Sequence, residues 1–137
     1  MIPIHILLVE DNEGDIILTT EALEEGSITS TLSVVRDGKL AIDFLTQTGN
    51  YTDALLPDLI LLDINLPKKN GHEVLRFIKS IDHLKHIPVI MLTTSSSEKD
   101  IEMAYNNLAN CYITKPVDVG DFMAAIAKIE DFWVSMA

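Results

Sequence analysis

Apolar residues in this chain fall into short unbroken runs, and between the runs they recur every three or four positions. The first pattern is that of strands buried on both faces, the second that of helices with one face inward. Ile4–Val9 reads as a buried strand, followed by a helix from about Glu13 to Glu25 that stops at Gly26. Leu32–Val35 is a second, shorter strand. Asp37 is placed to cap a helix that turns Leu40, Ala41, Phe44 and Leu45 inward and ends near Gly49. A polar loop over 50–57 leads to a third strand, Leu59–Leu62. The stretch NGHEVLRFIKSI then predicts a helix with Val74, Leu75 and Ile78 on one face. Pro88–Leu92 is a fourth strand, with its proline at the first position, where it is tolerated.

Ser95 with Glu98, and Ser97 with Asp100, have capping-box spacing for a fourth helix. Cys111–Ile113 is a short fifth strand. Beyond Lys115 and Pro116, Asp118 can cap a last helix whose core stripe is Phe122, Ile126, Ile129 and Trp133, so Trp133 reads as packing. Five apolar strands alternating with five helices predict an α/β fold, a parallel sheet covered on both faces. No repeat, low-complexity tract or Gly/Ser linker interrupts the pattern, and the last helix runs almost to residue 137. One domain over 1–137, with no effector domain, is the expectation.

The third strand ends on a carboxylate, Asp63, and the first ends on Glu10 and Asp11. In a doubly wound sheet of order 2-1-3-4-5, ligands bind outside the carboxyl ends of the strands, where strand order reverses between strands 1 and 3. Glu10, Asp11 and Asp63 therefore meet in one crevice. Like charges in close quarters raise a pKa or require a cation, and a hard divalent ion such as Mg²⁺ suits all-oxygen ligands. Strand 4 ends in Thr93-Thr94 and strand 5 leads to Thr114-Lys115-Pro116, on the same rim. A hydroxyl and an ammonium facing a metal-loaded carboxylate cluster suit a phosphoryl group. Taken singly, Asp11 or Asn12 could cap the first helix, Thr93 the fourth, and Lys115 could be a solvated lysine. Asp63 resists that treatment, because an acid ending a buried strand costs stability unless it is satisfied.

Charge and composition narrow the field. With 10 Lys and Arg against 21 Asp and Glu, the net charge is −11, which opposes binding to nucleic acid or to an anionic membrane surface. The 47% hydrophobic content supports a buried core. A lone cysteine, Cys111, rules out an intrachain disulfide and a Cys-based zinc site. Of the histidines only His83 and His86 lie near each other, in a solvated connector before Pro88. No signal peptide precedes the early Glu10, and no apolar stretch is long enough to span a bilayer, so a cytoplasmic protein is expected. Neither GxxxxGK[ST] nor GxGxxG is present to support nucleotide binding.

Four motifs in order, LLVEDN (7–12), DLILLDINLPKKNG (58–71), VIMLTT (89–94) and CYITKP (111–116), resemble the receiver domain of two-component response regulators over essentially the whole chain. The resemblance implies a flavodoxin-like (CheY-like) sheet and a phosphoryl group received on Asp63 from a histidine kinase. It implies Mg²⁺ held by Asp11, Asp63 and the Asn65 carbonyl, with Glu10 acting through water. Thr93 would hydrogen-bond the phosphoryl group and shift toward it, and Tyr112 would turn inward in response. Lys115 would pair with the phosphoryl group across an expected cis bond to Pro116. Pro67 and Gly71 belong to the loop after the acceptor, and Asn65 and Ser95 occupy the positions that tune dephosphorylation. Output would run through the face of helix 4, strand 5 and helix 5 to a downstream protein partner, or through a phosphotransfer protein. Leu108 stands where receivers often have glycine, so the turn between helix 4 and strand 5 is expected to differ. The connectors resemble stand-alone receivers paired with bacterial phytochrome kinases, which often form homodimers.

Two other readings compete. A receiver-fold adaptor, working without phosphorylation control, usually loses the acceptor or the lysine, and both are kept here. A Mg²⁺-dependent phosphohydrolase with an aspartate nucleophile calls for a second acid two residues on, where this chain has Asn65. The protein is thus expected to catalyse only its own phosphoryl acceptance and hydrolysis, and not to be an enzyme in the usual sense.

Overall fold

In the computed structural model, residues 4–25, 29–93 and 98–114 are described, with Ala124, Ala127 and Lys128 in a further helical stretch. Strands β1 (Ile4–Val9), β2 (Ser30–Val35), β3 (Leu59–Leu62), β4 (Val89–Thr93) and β5 (Cys111–Thr114) alternate with helices α1 (Glu13–Glu25), α2 (Gly38–Thr46), α3 (Gly71–Ser80) and α4 (Glu98–Asn106). All strand pairs are parallel, and the sheet order is β2-β1-β3-β4-β5. The expected doubly wound topology is therefore found. The expected last helix, with Trp133, lies outside the described residues apart from the three named.

The sheet divides the core by the two-residue period of its strands. Leu7 and Val9 face α2, α3 and α4 with Ile60, Leu62, Val74, Leu75 and Ile78. Ile6 and Leu8 face α1 with Ile16, Leu23, Leu59 and Leu61. The four residues of β3 are fully buried because it is the middle strand, covered on both faces. Each such side chain contributes about 1.5–3 kcal/mol by leaving water.

Local chemistry sets the helix starts. Asn12 Oδ1 accepts from Asp15 N at 2.9 Å, so Asn12 caps α1, one of the two residues considered for that role. Asp37 caps α2 through Leu40 N at 2.7 Å, and Asn70 forms a capping box with Glu73. The ends depart further from expectation. Helix α2 stops at Thr46 because Gln47 adopts a left-handed conformation (φ 57°), while Gly49 opens a 3-10 turn over Gly49–Tyr51. The turn packs Tyr51 on Phe44 (ring centroids 5.3 Å apart), so the loop is less polar in its contacts than in its composition. Strand β2 begins two residues earlier than its apolar run, since Ser30 and Thr31 pair with Ile4 and His5. Pro88 stands before β4, with its carbonyl accepting from Ile60 N. His83 and His86 are exposed as expected, while Leu84 between them is buried in the core.

Leu108 has φ 70°, and the α4 end is a Schellman motif. Leu108 N donates to Tyr105 O and Ala109 N to Ala104 O, both at 3.0 Å. The turn thus keeps the left-handed geometry that glycine adopts at no cost, and it does so with a leucine. Among the described residues, no helix is long and apolar enough to cross a membrane.

Candidate functional site

The backbone ladder runs one residue past β1 and β3. Glu10 N donates to Val35 O and Asp63 N to Val9 O, each at 3.1 Å. Because β1 pairs with β2 on one side and β3 on the other, these bonds carry both acids to the crevice where strand order reverses. Glu10 and Asp63 are buried and Asp11 is exposed. One carboxylate oxygen from each of the three lies within 4.8 Å of the others. Glu10 Oε1 accepts from Asn12 N at 3.1 Å, and Asp63 Oδ1 from Ile64 N at 2.7 Å. Asn12 thus has two tasks: its side chain caps α1 and its N–H orients Glu10.

Three hard anionic oxygen donors, two sunk into the sheet and one at the solvent edge, fit an oxygen-loving divalent cation that retains water. The exposed side of Asp11 leaves room for that water and for a ligand oxygen.

The loop after Asp63 is fixed by close backbone contacts. Gly71 N donates to Ile64 O at 2.7 Å, Lys69 N to Pro67 O at 2.8 Å, and Gly38 N to Pro67 O at 3.2 Å. Ile64 and Leu66 are buried and pin the loop, which leaves Asn65 between them exposed. Gly71 is required for space: a Cβ there would lie 2.1 Å from the Asp63 carbonyl oxygen. A Cβ at Gly38 would lie 1.9 Å from Lys69 O, so α2 presses on the same loop from the other side. Lys68, in the left-handed region (φ 67°), makes the bend between them and approaches Asp37 at 3.8 Å.

Thr93 ends β4, its backbone in register with Thr114 of β5, and it lies two residues beyond Met91, the partner of Leu62. That register places it on the rim next to Asp63. The Thr93 side chain, Ser95, Lys115 and the peptide bond before Pro116 lie outside the described residues. Tyr112 is half-buried on β5 and packs against the α2–α3–α4 side of the core.

Two residues of consequence do not stand out in the sequence. Gly38 looks like any glycine after a helix cap, and its need is set by a loop 31 positions away. His72 is buried, with Nε2 3.3 Å from Asp100 of α4 and Nδ1 without a hydrogen-bond partner. Its three-residue offset from Leu75 puts it on the apolar face of α3, which periodicity could have revealed.

A doubly wound five-stranded sheet with a carboxylate cluster at its switch point is the architecture of a receiver module. The profile described as the response regulator receiver domain matches residues 6–127, and the chain belongs to that family. It is 46% identical over 132 residues to response regulator Rcp1 of Synechocystis, covering 96% of this chain and 90% of that one. The phosphorylated cyanobacterial phytochrome response regulator RcpA superimposes with a TM-score of 0.94 at 48% identity, over 99% of this chain and 97% of that one. The Mn²⁺-bound form of Rcp1 gives a TM-score of 0.92 at 45% identity, over 98% of this chain and 97% of that one.

Proposed function

We propose that this chain is a single-domain cytoplasmic response regulator that receives a phosphoryl group on Asp63 from a sensor histidine kinase of the phytochrome type, with Mg²⁺ as cofactor. The observation that carries the reading is the carboxylate trio at the switch point, with Asp63 ending a fully buried strand. A kinase of that type is supported by the likeness to RcpA, and a divalent metal by the Mn²⁺ form of Rcp1. The likeness to Rcp1, of which the chain spans 90%, supports a response regulator built on this receiver.

A carboxylate oxygen of Asp63 attacks phosphorus, and the P–N bond to the donor imidazole breaks as the imidazole leaves. Water later cleaves the acyl phosphate, returning the carboxylate and inorganic phosphate. Mg²⁺ would be held by Asp11, Asp63 and the Asn65 carbonyl, with Glu10 acting through water, and would supply charge neutralisation at the phosphoryl oxygens. Ile64 N–H holds Asp63 in orientation, and the buried β3 keeps it from swinging away. Thr93 and Lys115 take the remaining phosphoryl oxygens, and Tyr112 follows Thr93, altering the α4–β5 face that binds a protein partner or a second copy.

The test is intact-protein mass after incubation with acetyl phosphate and Mg²⁺, beside Asp63→Asn and a chelator-treated sample. One phosphoryl addition confined to the metal-loaded wild type is the expected result. No addition under any condition overturns the reading and favours an adaptor that works without phosphorylation.

A further inference from the structure

At the amino ends of the strands, far from Asp63, lies an open groove of about 650 Å³. It exists because α2 is only nine residues long and ends before it covers the start of β1 and β2. The chain then crosses by way of Ala54–Leu56, and its apolar side chains form one wall with Phe44. The other wall is polar, made by His5, Ser33 and Asp58.

This polar wall is a connected set. His5 N donates to Asp58 Oδ2 at 2.8 Å, Asp58 N donates back to His5 O at 2.7 Å, and His5 Nε2 lies 2.8 Å from Ser33 Oγ. The His5 ring is also 6.0 Å from that of Phe44. Asp58 therefore holds a carboxylate at a fixed position beside aromatic and aliphatic surface. No lysine or arginine lines the groove among its described residues, and the chain carries a net charge of −11. Leu55 on the rim is 77% exposed, an apolar side chain of the kind a partner's apolar residue covers.

We propose that this groove docks a protein partner through an arginine flanked by apolar residues. The guanidinium fits on charge and shape together: it pairs with the exposed Asp58 carboxylate, and its planar face lies against the half-buried His5 ring. The flanking residues cover Leu55 and Leu56. Asp58 precedes β3 and Asp63 follows it, so roughly 17 Å of strand separates the two sites. Docking here is therefore independent of phosphorylation, and it holds a partner in either state of Asp63.

The test is an amide-resolved NMR titration with the capped tripeptide Leu-Arg-Leu, and with the same peptide carrying neutral citrulline in place of arginine. Shifts are expected at Thr31, Ser33 and Leu56, with affinity falling about threefold to fivefold for citrulline and for Asp58→Asn. Asparagine keeps the acceptor for His5 N, so an unchanged melting temperature separates lost charge from lost fold. Asp63→Asn is expected to bind as wild type does. Equal binding of the citrulline peptide, or no shift at these amides, overturns the proposal. Shifts at the same amides that grow with protein concentration alone assign the groove to a second copy of the chain, and overturn it too.

Discussion

Replacing Gly71 by alanine tests how Asp63, the proposed phosphoacceptor, is positioned. The new Cβ would stand 2.1 Å from Asp63 O, 2.7 Å from Ile64 Cα and 2.8 Å from Asp63 C, all backbone atoms that cannot rotate away. Real Cβ contacts essentially never fall under 3.0 Å, so the loop must open by about 1 Å. The Gly71 N to Ile64 O bond, now 2.7 Å, stretches, and Asp63 moves with its own carbonyl. Overpacking of this kind costs about 1–3 kcal/mol. A displacement of about 1 Å at a reacting group costs on the order of 100-fold in rate. The assay is the rate of phosphorylation by acetyl phosphate with Mg²⁺, read by intact mass, beside denaturant unfolding. Gly38→Ala is the control: its Cβ would meet Lys69 O at 1.9 Å, on the same loop but at the end away from Asp63. It is expected to lose comparable stability with a much smaller rate effect. Equal rate losses in the two variants, or a wild-type rate in Gly71→Ala, refute positioning by this contact.

Three further outcomes follow from single side chains. Leu108→Gly is expected to stabilise the fold by about 1 kcal/mol in urea unfolding, since a left-handed leucine costs about 1–2 kcal/mol and glycine returns part of that through unfolded-state entropy. Little burial is lost, because Leu108 is 66% exposed. Asp11→Asn is expected to raise the melting temperature without metal, by relieving repulsion on the order of 1 kcal/mol at water-like dielectric. The same variant should lose most of the stabilisation that Mg²⁺ gives wild type, so the two curves cross as Mg²⁺ is added. Burial holds the Lys79 ammonium below its ordinary pKa of 10.5, although Lys85 O and Ile87 O accept from it at 3.1 and 3.2 Å. The folded state then releases this proton before the unfolded state does, so stability rises as pH climbs through the folded value toward 10.5. Wild type should gain on Lys79→Met over that window in urea unfolding, and an unchanged difference refutes the assignment.

The parts of the fold legible in the sequence are those that depend on one segment at a time. A four-residue apolar run stopped by Asp63, and another over residues 6–9 stopped by Glu10, announce buried strands and the ends that matter. Asp37 was readable because a cap acts within one turn. The start of β2 was not, since an edge strand is paired on one side only and Ser30 and Thr31 break the apolar run. Gln47 and Leu108 carry positive φ with no residue-type sign of it. The glycine contacts were half legible: Gly71 could be tied to loop shape, but that it yields space to Asp63 is a fact of two segments in contact. Gly38 against Lys69 is the same kind of fact with no local trace.

Those contacts between segments also determine which helix would respond to a change at Asp63. Helix α3 buries five residues, and its first turn abuts Asp63 through Gly71. Helix α4 buries only Ala104 among its described side chains, ends in a strained leucine turn, and touches α3 at the His72–Asp100 contact. Helices held by few buried contacts are the ones that shift at least cost. Residues 71 and 72 are adjacent, so one short segment senses the Asp63 backbone with its glycine and holds α4 with its histidine. A displacement at Asp63 would therefore bear on the least buried of the described helices through two consecutive residues, while the groove at His5 and Asp58 lies at the far end of fully buried β3.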